Sequence, residues 1–324
     1  MSRQIYDFCP MSRPRYLFDT MHPLMQLLFL GALSIVSAGL FAALGFALVR
    51  PLFGITNLED VIRAFTTQPD EVAKNPGELN ALKLLQLLAS IGAFLLPALF
   101  FAQRKFPVGD YLKLKIVPRF SLLLLAIAIL FLSTPLVQFT YELNQKLSLP
   151  AFMGDLEKEI RSSEDASEKL MLLFLKMPGP IDLLFNLLVI AVIPAIGEEL
   201  MFRGCIQQVI NEWINKEHAA VWISAAIFSF IHFEFYGFIP RLLLGALLGY
   251  LFLWSGNLWT PIAAHALNNG VQVILIYLHD HGMIAFDINS NDPIPIIIVL
   301  ICTVLTAAGV YMYQRKCELH KFIY

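Results

Sequence analysis

An all-α, polytopic transmembrane helix bundle of about eight spans is the fold this sequence predicts, on three observations. Hydrophobic residues fill 57% of the 324 positions and charged residues only 15%, where soluble domains carry about a quarter charged. Mean hydropathy is +0.67. Apolar runs of roughly 20 residues, the length that crosses a bilayer at 1.5 Å per residue, recur at 24–49, 82–102, 121–142, 181–202, 219–236, 238–255, 258–278 and 295–314.

The first run follows a mixed polar stretch, MSRQIYDFCPMSRPRYLFDT, that lacks the apolar core of a cleavable signal. With no small-residue cleavage pattern behind it, 24–49 reads as a retained span. The second and third runs are separated by RKFPVGDYLKLKIVPR, a basic loop at 104–119. Between the third and fourth lies the longest loop, 143–180, in which 155–176 reads as a helix, acidic first and then apolar. Leu156, Ile160, Leu170 and Leu173 would form one apolar stripe there, laying the helix along the interface or over the core. The fourth run, IDLLFNLLVIAVIPAIGEEL, ends on two carboxylates. The fifth and sixth are short and meet at Tyr236 and Gly237, so a re-entrant hairpin with seven spans is the alternative. The chain therefore divides into N-terminal spans with an amphipathic loop helix (1–180), a core (181–278), and a C-terminal helix with its tail (279–324).

With the N-terminus inside, thirteen Lys and Arg fall on the inner side and nine on the outer. This favours N-in and C-in, and the inner (plasma) membrane of a bacterium is the expected location. The net charge of −2 gives no argument for nucleic acid. The four cysteines form neither a CxxC pair nor a zinc-ligand spacing.

Three polar patches interrupt the apolar core. Carboxylates within a membrane helix cost about 2.5–3.5 kcal/mol each and usually mark function, which singles out Glu198 and Glu199. On a helix Glu199 and Arg203 are i,i+4 neighbours and can pair, while Glu198 points about 100° away and is free to act as a base. Phe228 and His232 share the same spacing, so the ring can orient the imidazole. His265 and Asn269 share it again, presenting two hydrogen-bond donors side by side that suit a developing oxyanion. Taken singly, these are headgroup carboxylates, an interfacial histidine and interhelical glue. Together they fit hydrolysis of a peptide bond: a glutamate near a histidine activates water, and two donors receive the carbonyl oxygen. The sequence contains no HExxH, no GxSxG and no GxGD pattern.

The ordered set EExxxR (Glu198 to Arg203), FxxxH (Phe228 to His232) and HxxxN (His265 to Asn269) resembles the CAAX protease and bacteriocin-processing family of intramembrane endopeptidases. That family includes type II CAAX prenyl endopeptidases and bacterial abortive-infection proteins, and the resemblance covers about 180–275. It implies that Glu198 is the base, sharing a water with His232. It also implies that His265 and Asn269 stabilise the oxyanion, with Glu199 and Arg203 holding the site together. On metal the resemblance leaves two readings. Glu198, His232 and His265 could ligate zinc, or the site is a metal-free glutamate protease with no cofactor, preferred because one carboxylate does not easily serve as both ligand and base. The expected partners are the bilayer and a peptide or membrane-protein substrate. Two other functions compete: a non-catalytic adaptor or bacteriocin-immunity protein on the same scaffold, and a proton-coupled carrier, although no inverted repeat is visible.

Overall fold

A computed structural model describes residues 20–67, 71–72, 74–105, 107–286 and 294–321. The polar stretch before Thr20 lies outside the described residues. Among those described there is no strand, and the chain is a bundle of helices. In order they are α1 (Pro23–Phe53), α2 (Leu58–Thr67), α3 (Pro76–Lys105), α4 (Val108–Tyr111), α5 (Phe120–Gln145), α6 (Gly154–Phe174), α7 (Pro180–Ile214), α8 (Glu217–Phe230), α9 (Phe238–Ser255), α10 (Trp259–Asp280) and α11 (Ile296–Lys321). Seven of them are long and apolar enough to cross a membrane: α1, α3, α5, α7, α9, α10 and α11. The protein is thus a multi-pass membrane protein.

Local chemistry sets the ends of these helices. Pro23 opens α1 where its missing N–H costs nothing, and Gly54 closes it in the left-handed conformation (φ 69°). Asn75 caps α3 through its side-chain oxygen, which accepts the N–H groups of Gly77 and Glu78 at 3.1 and 3.4 Å. At the start of α7, Asp182 accepts the Gly179 N–H at 3.1 Å. Gly256 ends α9 at φ 60°.

The expected span over 219–236 is corrected by the structure. Helix α8 stops at Phe230, and 231–237 is a turn into α9. The cause is local: Phe233 is left-handed at φ 54°, and the Ser229 hydroxyl donates to the Phe238 carbonyl at 2.7 Å. At 14 residues α8 is apolar but short of a full crossing. It packs against α9. The bundle therefore holds eight apolar helical stretches, seven of span length.

Helix α7 lies at the centre. It packs against α3 on one side, α10 on another, and α8 near its C-terminal half. The main core gathers around it: Leu200, Met201, Phe202 and Cys205 of α7 meet Phe101 of α3 and Phe228 of α8. Helices α5 and α11 pack together and brace α9 and α10 from behind.

The approach of α3 to α7 needs a glycine. A Cβ built on Gly197, the residue before the glutamate pair, would meet Phe94 Cβ at 3.2 Å and the Leu95 backbone nitrogen at 3.3 Å. Backbone contacts of this kind are how membrane helices pack without a hydrophobic drive. Gly197→Val is expected to destabilise the fold by about 1–3 kcal/mol through overpacking, read as a lower unfolding midpoint in detergent, with Gly197→Ala milder. A midpoint unmoved by valine would contradict this close approach.

Helix α6 departs from the expected apolar stripe. Leu173 is buried and Leu170 packs beside it against α2, but Leu156 is exposed. The face that α6 turns to the protein at its N-terminal half is polar, carrying Glu157, Arg161 and Glu164.

Candidate active site

Glu198 and Glu199 sit on the α-helical segment Ile193–Met201 of α7, between two wider π-turns at Leu187–Val192 and Phe202–Ile206. The first π-turn has a cause in the sequence. Pro194 has no N–H to give the Ile190 carbonyl one turn back, and its ring crowds that oxygen. Instead Asn269 Nδ2 of α10 donates to Ile190 O, at 3.4 Å. The same pattern recurs in α3, where a π-turn over Ile91–Leu95 precedes Pro97. Such turns are rare and gather at functional sites.

A chain of charged groups crosses the bundle through α7. Arg203 NH1 donates to Glu199 Oε1 at 2.7 Å, and both side chains are essentially sealed from solvent, at 1% and 0% exposure. The same oxygen receives His265 Nδ1 at 2.8 Å. With Glu199 ionised, its carboxylate fixes the Nδ1–H form of His265 and aims Nε2 the other way. Nε2 then faces Glu198 Oε2 at 3.9 Å. Arg203 is completed by the Gly245 carbonyl at 2.9 Å and by the Phe228 ring, 5.1 Å from its guanidinium carbon. A buried ion pair is tolerated only when its remaining donors are satisfied in this way.

His232 stands in the turn after α8. Its ring meets Phe228 edge-on at 5.0 Å, and Nδ1 donates to the Phe228 carbonyl at 2.8 Å. In the neutral ring Nε2 then carries the lone pair. No hydrogen bond or ion pair joins His232 to Glu198 among the described residues.

Of the seven residues singled out from sequence, Glu198, Glu199, Arg203 and His265 form one connected set, and Phe228 packs between Arg203 and His232. Asn269 lies one turn along α10 from His265, tied to Ile190 and to Asn268 at 3.3 Å. The spacing argument assigned Glu199 to Arg203 alone. The structure gives it a second duty as the anchor of His265. Sequence reading also missed the Gly245 carbonyl, and the groups that hold the His232 turn: Asn144 and Glu164. None of these carries a local signal, since the partners are 42, 91 and 71 residues apart.

The zinc reading requires three donors converging on one point. Among the described residues no group of three His, Cys, Asp or Glu side chains is so placed. In both His265 and His232 the engaged nitrogen is Nδ1, held by Glu199 and by the Phe228 carbonyl, which leaves Nε2 of each ring open. No step below is routed through a metal.

Fold and site together define a multi-pass membrane protein with a glutamate–histidine centre inside a helix bundle. Residues 180–271 match the family model of type II CAAX prenyl endopeptidase Rce1-like proteins. The resemblance read from the three motifs is thereby shown for this stretch. The chain is also similar to the uncharacterized protein YpbD of Bacillus subtilis (strain 168), with 29% identity over 90 residues. That similarity covers 26% of this chain and spans only 43% of the relative's length. No solved structure matches.

Proposed function

We propose that the protein is an intramembrane endopeptidase that hydrolyses a peptide bond of a membrane-associated peptide or protein. The observation that carries this reading is the bonded series Arg203–Glu199–His265, with Glu198 Oε2 3.9 Å from the far nitrogen of His265. It cancels one carboxylate's charge, uses that carboxylate to hold an imidazole, and leaves the second carboxylate for chemistry.

Glu198 takes a proton from water as the oxygen attacks the scissile carbonyl carbon. The Nε2 lone pair of His232 accepts a hydrogen bond from the same water and orients it. As the C–O bond forms, the carbonyl oxygen becomes an oxyanion. It is met by Asn269 and, in the form carrying both protons, by His265 Nε2–H, backed by Glu199. Collapse of this intermediate breaks the C–N bond, and Glu198 delivers its proton to the departing amine. Phe228 keeps both Arg203 and His232 in place. The site needs no cofactor for this sequence of steps, and the protein works in the inner (plasma) membrane.

The test is cleavage of internally quenched peptides, with and without a prenylated cysteine, by the protein in liposomes, with and without a chelator. Cleavage unaffected by chelation is expected. Loss on chelation, restored by zinc, would overturn the metal-free mechanism. Failure to cleave any peptide would favour a non-catalytic adaptor.

A further inference from the structure

We infer that α6 is a latch that sets the position of His232, with Glu164 as the positioning residue that closes it. The inference rests on the hydrolase reading above for its catalytic consequence, but the latch itself is a matter of geometry.

The turn 231–237 is held locally by short-range bonds, among them His232 N–H to the Ser229 carbonyl at 3.4 Å and Phe233 N–H to the Phe230 carbonyl at 3.1 Å. It carries a left-handed phenylalanine, Phe233, with 83% of its surface exposed. Backbone in that region is unfavourable for a residue with a side chain, and persists only where surroundings impose it. Here the surroundings are α5 and α6. The Glu164 carboxylate accepts the Phe235 N–H at 2.6 Å and the Tyr236 N–H at 3.2 Å. From α5, the buried Asn144 donates to the Phe235 carbonyl at 2.9 Å. Tyr236, itself buried, donates its hydroxyl to Glu157 at 3.2 Å and lies under the Arg161 guanidinium, 3.9 Å from the ring centroid. Glu157, Arg161 and Glu164 recur at i, i+4 and i+7, so these contacts to the turn come from one face of α6.

That face is itself fixed. Glu157 accepts the Leu149 N–H at 2.9 Å and the Arg161 Nε at 3.0 Å. The Leu149 N–H first, and Arg161 next, hold its carboxyl below the usual glutamate range. Arg161 also donates to the Leu147 carbonyl at 2.8 Å. The chain leaving α5 is thereby folded back onto α6, and α6 onto the turn. From α9, Arg241 pairs with Glu234 of the turn. Two residues separate His232 from the first latched amide, Phe235, so slack in the latch is passed along a short stretch of turn to the histidine. A displacement of about 1 Å in a catalytic group is enough to lower turnover roughly 10²-fold.

The test uses the full chain in detergent or nanodiscs as wild type, Glu164→Ala and Glu164→Gln. Glutamine keeps a carbonyl oxygen for the two N–H groups, whereas alanine removes it. Two quantities are read: the rate at which diethylpyrocarbonate modifies His232, resolved by mass spectrometry against His218 as reference, and kcat and KM on an internally quenched peptide that the wild type cleaves. Glu164→Ala should raise His232 modification several-fold and lower kcat by up to about 10²-fold with KM little changed, and glutamine should restore both. Wild-type modification rate and wild-type kcat in the alanine variant would overturn the latch. Where alanine does not fold, Glu164→Asp, too short to reach both N–H groups, is judged by the same criteria. If the wild type cleaves no peptide, the hydrolase reading fails, while His232 reactivity alone still decides the latch.

Discussion

Glu198→Gln is expected to abolish measurable cleavage, a loss of about 10²–10⁴-fold in kcat for removal of a general base, while the fold survives. The expectation follows from the asymmetry of the pair. Glu199 is bonded to Arg203 and His265, whereas the nearest charged partner of Glu198 is His265 Nε2 at 3.9 Å, beyond hydrogen-bonding distance. Glutamine keeps the volume and one acceptor oxygen at the site, so packing is preserved and only the capacity to take a proton is lost. Removing a carboxylate from within the bundle should leave the unfolding midpoint unchanged or slightly higher. Turnover and thermal midpoint measured side by side check the claim. A variant that cleaves as the wild type does would remove Glu198 from the mechanism. A variant that fails to fold would show that Glu198 carries structure instead.

The second large effect is on stability. Arg203→Met should destabilise the protein by about 3–5 kcal/mol, because it strands the Glu199 charge in a site with no solvent. The other two neighbours of the guanidinium, the Gly245 carbonyl and the Phe228 ring, would lose their cation as well. Adding Glu199→Gln to Arg203→Met should recover part of the loss, since a neutral amide tolerates the methionine. Equilibrium unfolding of the two single variants and the double in mixed micelles gives the coupling energy, expected at about 0.5–3 kcal/mol for groups in contact. Additive losses would mean that the ion pair does not act as a unit. The same variants should loosen His265, so their cleavage rates fall even where they remain folded.

The spans were legible because long apolar runs leave little choice of structure once water is excluded. The span boundaries were less so. Pro194 lies in an apolar run that continues as helix, since the π-turn before it absorbs the proline. The end of α8 was hidden for a different reason. Hydropathy runs on through Phe233 and Phe235, and only the backbone of Phe233 and the Ser229 bond to Phe238 reveal the turn. In the site, i,i+4 spacing correctly paired Glu199 with Arg203 and Phe228 with His232. It had nothing to say about the bond from Glu199 to His265, which crosses 66 positions and two helices. The latch was invisible for the same reason, since an acidic run such as Glu157 to Glu164 ordinarily signals a solvated face.

The brevity of α8 bears on how hydrolysis obtains its water. Fourteen residues make a rod of about 21 Å, set in a hydrocarbon layer about 30 Å thick. The layer beside it must thin, or polar groups must be drawn in to meet its end. At that end stand His232 and a turn whose exposed amides and carbonyls are held by Glu164 and Asn144. Water is therefore expected to reach the imidazole along this turn, and cleavage in vesicles is expected to change with acyl-chain length as the mismatch at α8 changes.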